Sequence, residues 1–320
     1  SGPKGTGKTT LARIFAKSLN CPQRTSDGEP CNQCASCIEI AQSASLDVLE
    51  MDGASHRGIE DIRQINETVG YVPSGGRYKI YLIDEVHMLT KEAFNALLKT
   101  LEEPPQKVKF LFATTEPHKI PPTILSRCQR FSLRRIPSSL IVEKLKKITS
   151  NLEVDAEEGV FSLIAQRAEG GLRDAESLLD QLLAFSSDRI TTASFHEMMG
   201  SVSSSLYFEM DKEGKAGNVG FAYLLVDRLF QEGKDLSLFL EGLIHHLRCL
   251  LLVQLLGVDT PLLSLTKEEK DSYASAALLY RKEQCFYLIE ELLKGQLEMR
   301  ASSFPKLVLE TLFIKVFESH

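Results

Sequence analysis

Gly2-Pro3-Lys4-Gly5-Thr6-Gly7-Lys8-Thr9-Thr10 opens the chain, and Leu11, Ile14, Phe15 and Leu19 follow at the spacing of one helix face. A Gly-x4-Gly-Lys-Thr stretch that feeds a helix is a phosphate-binding loop. Its glycines let backbone N–H groups curl around phosphate oxygens, and the positive end of the helix adds its field. In this reading residues 2–10 line the phosphates of a nucleoside triphosphate. Lys8 meets the β- and γ-phosphates, Thr9 offers its hydroxyl to Mg²⁺, and Thr10 reaches a further phosphate oxygen. Such a loop ordinarily follows a buried strand. Here it begins at the second residue without an initiator Met, so the expectation is a fragment whose first strand lies upstream.

Working outward, short runs of buried-strand character are predicted at 46–51, 79–83 and 108–113. Helix patterns separate them, marked by Ile59, Ile62, Ile65 and Val69 and then by Phe94, Leu97, Leu98 and Leu101, the second stopping at Pro104-Pro105. Strands alternating with helices imply a parallel sheet covered on both faces, an α/β fold. After Pro137 the pattern is helical throughout. Ile141, Leu145 and Ile148 share a face, as do Val160, Leu163 and Ile164 before Gly170-Gly171, and then Leu172, Ala175, Leu179 and Leu182. A looser stretch at 200–205 leads into Leu-rich helices running to Phe317, with breaks near 214–220 and 257–261. The expected domains are a nucleotide-binding domain over 1–137, a helical domain over 138–200 and a second helical domain over 201–320.

With 320 residues, 43% of them hydrophobic, and 25% charged, the chain suits a globular protein of more than one domain. A net charge of −6 argues against a surface that wraps nucleic acid over its whole extent. The most apolar stretch, Leu236–Leu256, is interrupted by Glu241, His245, His246 and Arg248 and reads as a buried helix. No signal peptide precedes the loop, and no membrane contact is expected. The expected compartment is the cytoplasm.

The run Lys79-Ile80-Tyr81-Leu82-Ile83-Asp84-Glu85-Val86-His87 is an apolar strand ending in two acids. Beside a phosphate loop, Asp84 is suited to the Mg²⁺ coordination shell and Glu85 to polarising the attacking water, because phosphoryl transfer needs positioning and charge stabilisation. His87 reads as a packing or hydrogen-bonding group. Thr114-Thr115 ends the next strand and either closes a turn or senses the γ-phosphate. Arg127, in Ser126-Arg127-Cys128, is either a solvated surface group or a finger for a neighbouring subunit's nucleotide. Arg173, in the first turn of a helix after Gly170-Gly171, is either a surface ion-pair partner or a reporter of bound nucleotide.

Cys21, Cys31, Cys34 and Cys37 form C-x9-C-x2-C-x2-C, a set suited to a closed tetrahedral Zn²⁺ site with no coordination position left for a catalytic water. The expectation is a structural zinc module at 21–37. Cys128, Cys249 and Cys285 lie among apolar residues and read as core. His245-His246, inside a Leu-rich helix, reads as packing or interface.

Taken in order, the phosphate loop, Asp84-Glu85-Val86-His87, Ala113-Thr114-Thr115, Ser126-Arg127-Cys128 and Gly171-Leu172-Arg173-Asp174 resemble the clamp-loader clade of AAA+ ATPases over nearly the whole chain. The resemblance implies a P-loop AAA+ domain carrying a zinc module, a helical lid and a helical collar that oligomerises. It implies Thr115 as first sensor, Arg127 as the finger acting in trans and Arg173 as second sensor, with ATP, Mg²⁺ and structural Zn²⁺ as cofactors. The implied role is the ATP-hydrolysing motor of the bacterial clamp loader within the DNA polymerase III holoenzyme. Delta- and delta-prime-type subunits, further copies of the chain itself, the sliding clamp and primed DNA are the implied partners. It also implies that an N-terminal segment and the long C-terminal extension of the family's longer members lie outside this sequence. A branch-migration or helicase-type motor is the first rival, disfavoured by the four cysteines and Ser-Arg-Cys. A nucleotide-binding scaffold without turnover is the second, disfavoured by the intact loop and acids.

Overall fold

The computed structural model describes residues 1–186, 189–260, 262–263, 265 and 267–318. The chain divides into two units, Ser1–Gln181 and Leu182–His320.

In the first unit, α1 (Lys8–Asn20) leaves the phosphate loop and α2 (Ala35–Ala41) closes the cysteine-bearing segment. There follow β1 (Val48–Asp52), α3 (Ile59–Thr68), β2 (Lys79–Asp84), α4 (Lys91–Glu102), β3 (Val108–Phe112) and the short α5 (Pro122–Leu125). The three strands form a parallel sheet in the order β1-β2-β3. Helical crossovers separate them, as the alternating patterns require. The register sets Asp52 opposite Asp84 and Ile83 opposite Phe112, so the C-terminal strand ends share one edge. β2 lies in the middle with Ile80, Tyr81, Leu82 and Ile83 buried. Ile62 of α3 and Phe94 and Leu97 of α4 pack with Ile83, Val86 and Leu89 in one core cluster. Thr90 caps α4 by accepting from the Ala93 N–H at 3.2 Å, and the helix ends at Glu102, just before the two prolines.

Two local expectations change. No residue of β1 and only Val108 of β3 is buried, with Phe110, Leu111 and Phe112 half-buried, because these two strands are the outer ones of the described sheet and each has β2 on one side only. On α1, Leu11, Ile14 and Phe15 are exposed while Ala16 and Asn20 are buried. The Asn20 amide donates to Tyr78 O and accepts from Tyr78 N, both at 2.9 Å, which ties the end of α1 to the start of β2. A second tie precedes β1. The buried Asp47 carboxylate accepts the N–H groups of Ser74, Gly75 and Gly76 at 2.7, 2.8 and 2.6 Å. Burial alone would raise its pKa, but these three donors, with Lys79, hold it below the usual carboxylate value.

Three helices complete the unit: α6 (Ser138–Asn151), α7 (Glu158–Arg167) and the start of α8 (Leu172–Phe185). Ile141, Leu145, Val160, Phe161, Ile164, Ala175 and Leu179 are buried.

Unit two is helical: α9 (Thr192–Met198), α10 (Ser204–Lys215), α11 (Val219–Gln231), α12 (Leu236–Leu256), α13 (Lys267–Ala277), α14 (Lys282–Ala301) and α15 (Pro305–Glu318). The expected breaks fall between α10 and α11 and at Gly257, whereas Pro261 lies outside the described residues. α12 is long and apolar enough by length and composition to cross a membrane, yet 56% of its most apolar window is buried in the protein. Phe239, Leu240, Leu243, Leu247 and Leu250 of α12 sit in the core of this unit. Cys249 and Cys285 are fully buried, and burial pushes both thiols up to about 11. His246 is buried too, with Nε2 2.8 Å from Asp211 Oδ2 and Nδ1 3.1 Å from the Tyr273 hydroxyl. Tyr280 donates to the other Asp211 oxygen at 2.6 Å, so the buried carboxylate is compensated by two partners, as burial of a charge requires.

Candidate nucleotide site and metal centre

The phosphate loop ends in α1, with Lys8 as the first helical residue. In this structure the Lys8 ammonium and the Thr6 hydroxyl both donate to Pro3 O, at 2.9 and 2.8 Å. The lysine therefore caps the loop's own carbonyl in the place where phosphate oxygens would compete for it. Thr9, one residue further into α1, donates to Asp84 Oδ2 at 2.5 Å. Hydroxyl and carboxylate thus meet beside the loop, an all-oxygen pair that fits a hard cation such as Mg²⁺.

The end of β2 is fastened on both sides. Gly53 N donates to Asp84 O at 2.8 Å, and Val86 N donates to Ala113 O at 3.0 Å. Between these ties Glu85 adopts a left-handed backbone, φ 44° and ψ 44°. That conformation costs a non-glycine residue about 1–3 kcal/mol and persists where surrounding structure imposes it, commonly at functional sites. The Glu85 carboxylate accepts from the Thr115 hydroxyl at 3.1 Å and from the Thr115 N–H at 3.3 Å. Thr115 and Glu85, read from separate strands, thus touch.

α8 begins against the loop. Arg173 N donates to Gly5 O at 3.4 Å, and Lys4 Nζ lies 3.5 Å from Asp174 Oδ1. The pair is largely exposed, and such pairs contribute little by themselves. Close approach matters more here. A Cβ on Gly5, whose φ is +73°, would lie 3.0 Å from Gly171 Cα, and one on Gly171 would lie 2.7 Å from Asp174 Oδ2. Gly5, held at a left-handed φ against the Gly171 backbone, has no room for a side chain without moving helix from loop. The Arg173 side chain is exposed. Arg127 bonds to Glu102 Oε1 at 2.6 Å and to Thr123 O at 2.7 Å, and these contacts belong to α4 and α5, away from the phosphate loop's own bonds.

Cys21, Cys31, Cys34 and Cys37 come together with all four sulfurs within 4.8 Å of one another. Tetrahedral zinc with Zn–S bonds of about 2.3 Å has sulfur–sulfur edges of about 3.8 Å, so this cluster fits the ion. Cys31 N donates to Cys21 Sγ at 3.4 Å and Cys34 N to Cys31 Sγ at 3.3 Å. Backbone N–H groups of Gln33 and Cys34 lower the Cys31 thiol to about 6, while burial pushes Cys37 up to about 12. Thiolate ligation is thus prepared at Cys31, and a cation in the cluster would have to draw the proton from Cys37.

Three family models match the chain in succession. Residues 1–137 match the family model described as DNA polymerase III, delta subunit. Residues 140–188 match DNA polymerase III clamp loader subunit, ATPase lid domain, and 190–320 match DNA polymerase III subunits gamma and tau domain III. DNA polymerase III subunit gamma of Buchnera aphidicola from Acyrthosiphon pisum is 36% identical over 322 residues, covering 100% of this chain and 88% of that protein. The chain belongs to the DNA polymerase III gamma/tau family. Subunit tau of Bacillus subtilis is 41% identical over all of the chain, which spans 56% of that longer relative. A Thermotoga maritima RuvB Holliday junction branch migration motor is 21% identical, with a TM-score of 0.43 over 66% of this chain and 65% of that one.

Several contacts of this gamma/tau chain were not foreseen from its motifs. Arg13, one helical turn after Thr9, makes a bidentate pair with Glu50 of β1 at 2.9 and 2.7 Å. That hydrogen bond, against partial burial and together with the charges of Glu50 and Asp84, raises the guanidinium above its ordinary pKa. Nothing in the local sequence announces the pairing, which depends on the angle at which α1 crosses β1. His87 and Glu116 are a second case. His87 Nε2 lies 3.1 Å from Glu116 Oε2, an approach that depends on β2 and β3 ending side by side.

Proposed function

We propose that this chain is the ATP-hydrolysing motor subunit of a bacterial clamp loader, working in the cytoplasm as part of the DNA polymerase III holoenzyme. The observation that carries the reading is the meeting of Thr9, Asp84, Glu85 and Thr115 beside the phosphate loop. Residues 2–10 bind the phosphates, with Lys8 turning from Pro3 O to the nucleotide. Thr9 and Asp84 would hold Mg²⁺, whose positive charge would offset that of the phosphates. Glu85 orients the water that attacks the γ-phosphorus as the bond to the bridging oxygen breaks, releasing ADP and phosphate. Thr115 holds Glu85 and senses the γ-phosphate, Arg173 reports it to the lid, and Arg127 serves the site of a neighbouring subunit.

In this account residues 1–137 form the nucleotide-binding domain, 138–200 the lid and 201–320 the collar. The four cysteines bind structural zinc at 21–37. Delta- and delta-prime-type subunits and further copies of the chain complete the ring, which grips a sliding clamp and releases it on primed DNA when ATP is hydrolysed. Support comes from the family membership, the abutment of α8 on the loop, and the exposure of Arg127 at 34% of its side chain. Steady-state ATP turnover by the assembled complex tests the proposal. Turnover is expected to rise when sliding clamp and primed DNA are added together. Unchanged turnover, or ATP-driven strand unwinding, would overturn it.

A further inference from the structure

We propose that His87 is a positioning residue for Glu85, acting through its Nδ1 atom; this rests on the reading of Glu85 as the group that orients the attacking water. His87 lies in a short 3-10 turn, Val86–Met88, whose backbone is held by Val86 N to Ala113 O at 3.0 Å and Met88 N to Glu85 O at 2.9 Å. Its side chain is only 7% exposed, so each ring nitrogen must find a protein partner.

The two nitrogens face different groups. Nε2 lies 3.1 Å from Glu116 Oε2. A carboxylate only accepts, so each ring nitrogen attracts its carboxylate, Glu116 at Nε2 and Glu85 at Nδ1, only when it carries a hydrogen. Glu116 is fixed in turn by Lys119 at 2.8 Å, with His118 at 3.9 Å, and by its own N–H donating to Thr114 Oγ1 at 3.0 Å. Nδ1 faces the other way, 3.0 Å from Thr114 Oγ1 and 3.3 Å from Glu85 Oε2. That same Glu85 oxygen receives the Thr115 hydroxyl and N–H.

Glu85 Oε2 therefore sits in a fork, with Thr115 on one side and the imidazole on the other. Two donors from Thr115 leave the carboxylate free to swing about that residue; the ring edge at Nδ1 removes the swing. Glu85 stands on a strained left-handed backbone, so its side-chain direction is set by such contacts and not by a regular element. A histidine serving only to tie the turn to residues 114–116 would need the Glu116 and Thr114 contacts alone. The placement of Nδ1 within reach of Glu85 is the additional feature.

Paired substitutions in the full-length chain, assembled with its clamp-loader partners, separate the two nitrogens. In His87→Asn the amide occupies the place of Nδ1, and in His87→Gln it occupies the place of Nε2. Turnover of ATP, affinity for a fluorescent ATP analogue and thermal stability would be read for each. His87→Gln is expected to lose at least about tenfold in kcat, as misplacement of a reacting group does, with nucleotide affinity and Tm unchanged. His87→Asn is expected to keep most of the turnover. Wild-type kcat in His87→Gln, or a parallel loss of kcat, nucleotide affinity and Tm in both variants, would overturn the inference and leave the functional reading standing. Absence of ATP turnover in the wild-type assembly would overturn the functional reading, and this inference with it.

Discussion

Replacing Glu85 with Gln is expected to cut ATP turnover by about 10²–10⁴-fold, the range for removal of a positioned general base, while ATP binding persists. The substitution keeps the shape of the side chain and the Thr115 contact but removes the negative charge that polarises water. In the proposed site, binding rests on other groups: the loop N–H donors, Lys8, Thr9 and Asp84. Asp84 is fastened independently, with Glu85 N donating to its Oδ1 at 2.9 Å and Gly53 N to its carbonyl. Single-turnover hydrolysis and equilibrium binding of a fluorescent nucleotide would separate the two effects. Retained hydrolysis, or loss of nucleotide binding, would contradict the role assigned to Glu85.

The second large effect concerns the four cysteines. Wild-type protein is expected to carry one zinc per chain, and Cys37→Ser to lose it. Cys21 and Cys37 are each 1% exposed, so their thiols lie inside the module while α2 starts one residue after Cys34. Without the ion, like-charged or unpaired thiol groups remain crowded within 4.8 Å. Apparent zinc-binding free energies of about 10–16 kcal/mol in zinc-finger peptides set an upper bound on the stabilisation. Because the Asn20 amide ties the end of α1 to Tyr78, opening should stay local. Amide exchange across 21–41 should accelerate in Cys37→Ser while the strands stay protected. Zinc-free wild-type protein with the same exchange pattern would count against a metal centre.

How far these features could be read from the sequence depends on the range of the contacts that make them. The three strands and α1, α3 and α4 follow from local apolar period and from stops such as Pro104-Pro105. The four cysteines and the Gly-x4-Gly-Lys-Thr loop are short-range patterns with a direct chemical reading. The half-buried state of β3 was not legible, because burial of a strand depends on its neighbours in the sheet. Lys79 likewise looks like a polar strand edge in sequence, yet it is buried, donating to Thr68 O at 3.0 Å and lying over the Tyr71 and Tyr81 rings. The apolar stripe of α1 was legible as a stripe, but its exposure was not. The meeting of Thr115 with Glu85 required the parallel register that aligns the ends of β2 and β3. The sequence marked both residues without stating that they touch.

Under the proposed function, nucleotide hydrolysis in this chain drives the placement of a ring on DNA. Transfer of a fluorescently labelled sliding clamp onto primed, end-blocked DNA by the complete assembly tests it most directly. With ATP, stable DNA-bound clamp should accumulate; with a non-hydrolysable analogue, clamp should bind the assembly but stay attached to it. Equal release of clamp onto DNA with ATP, with the analogue and without nucleotide would contradict the account.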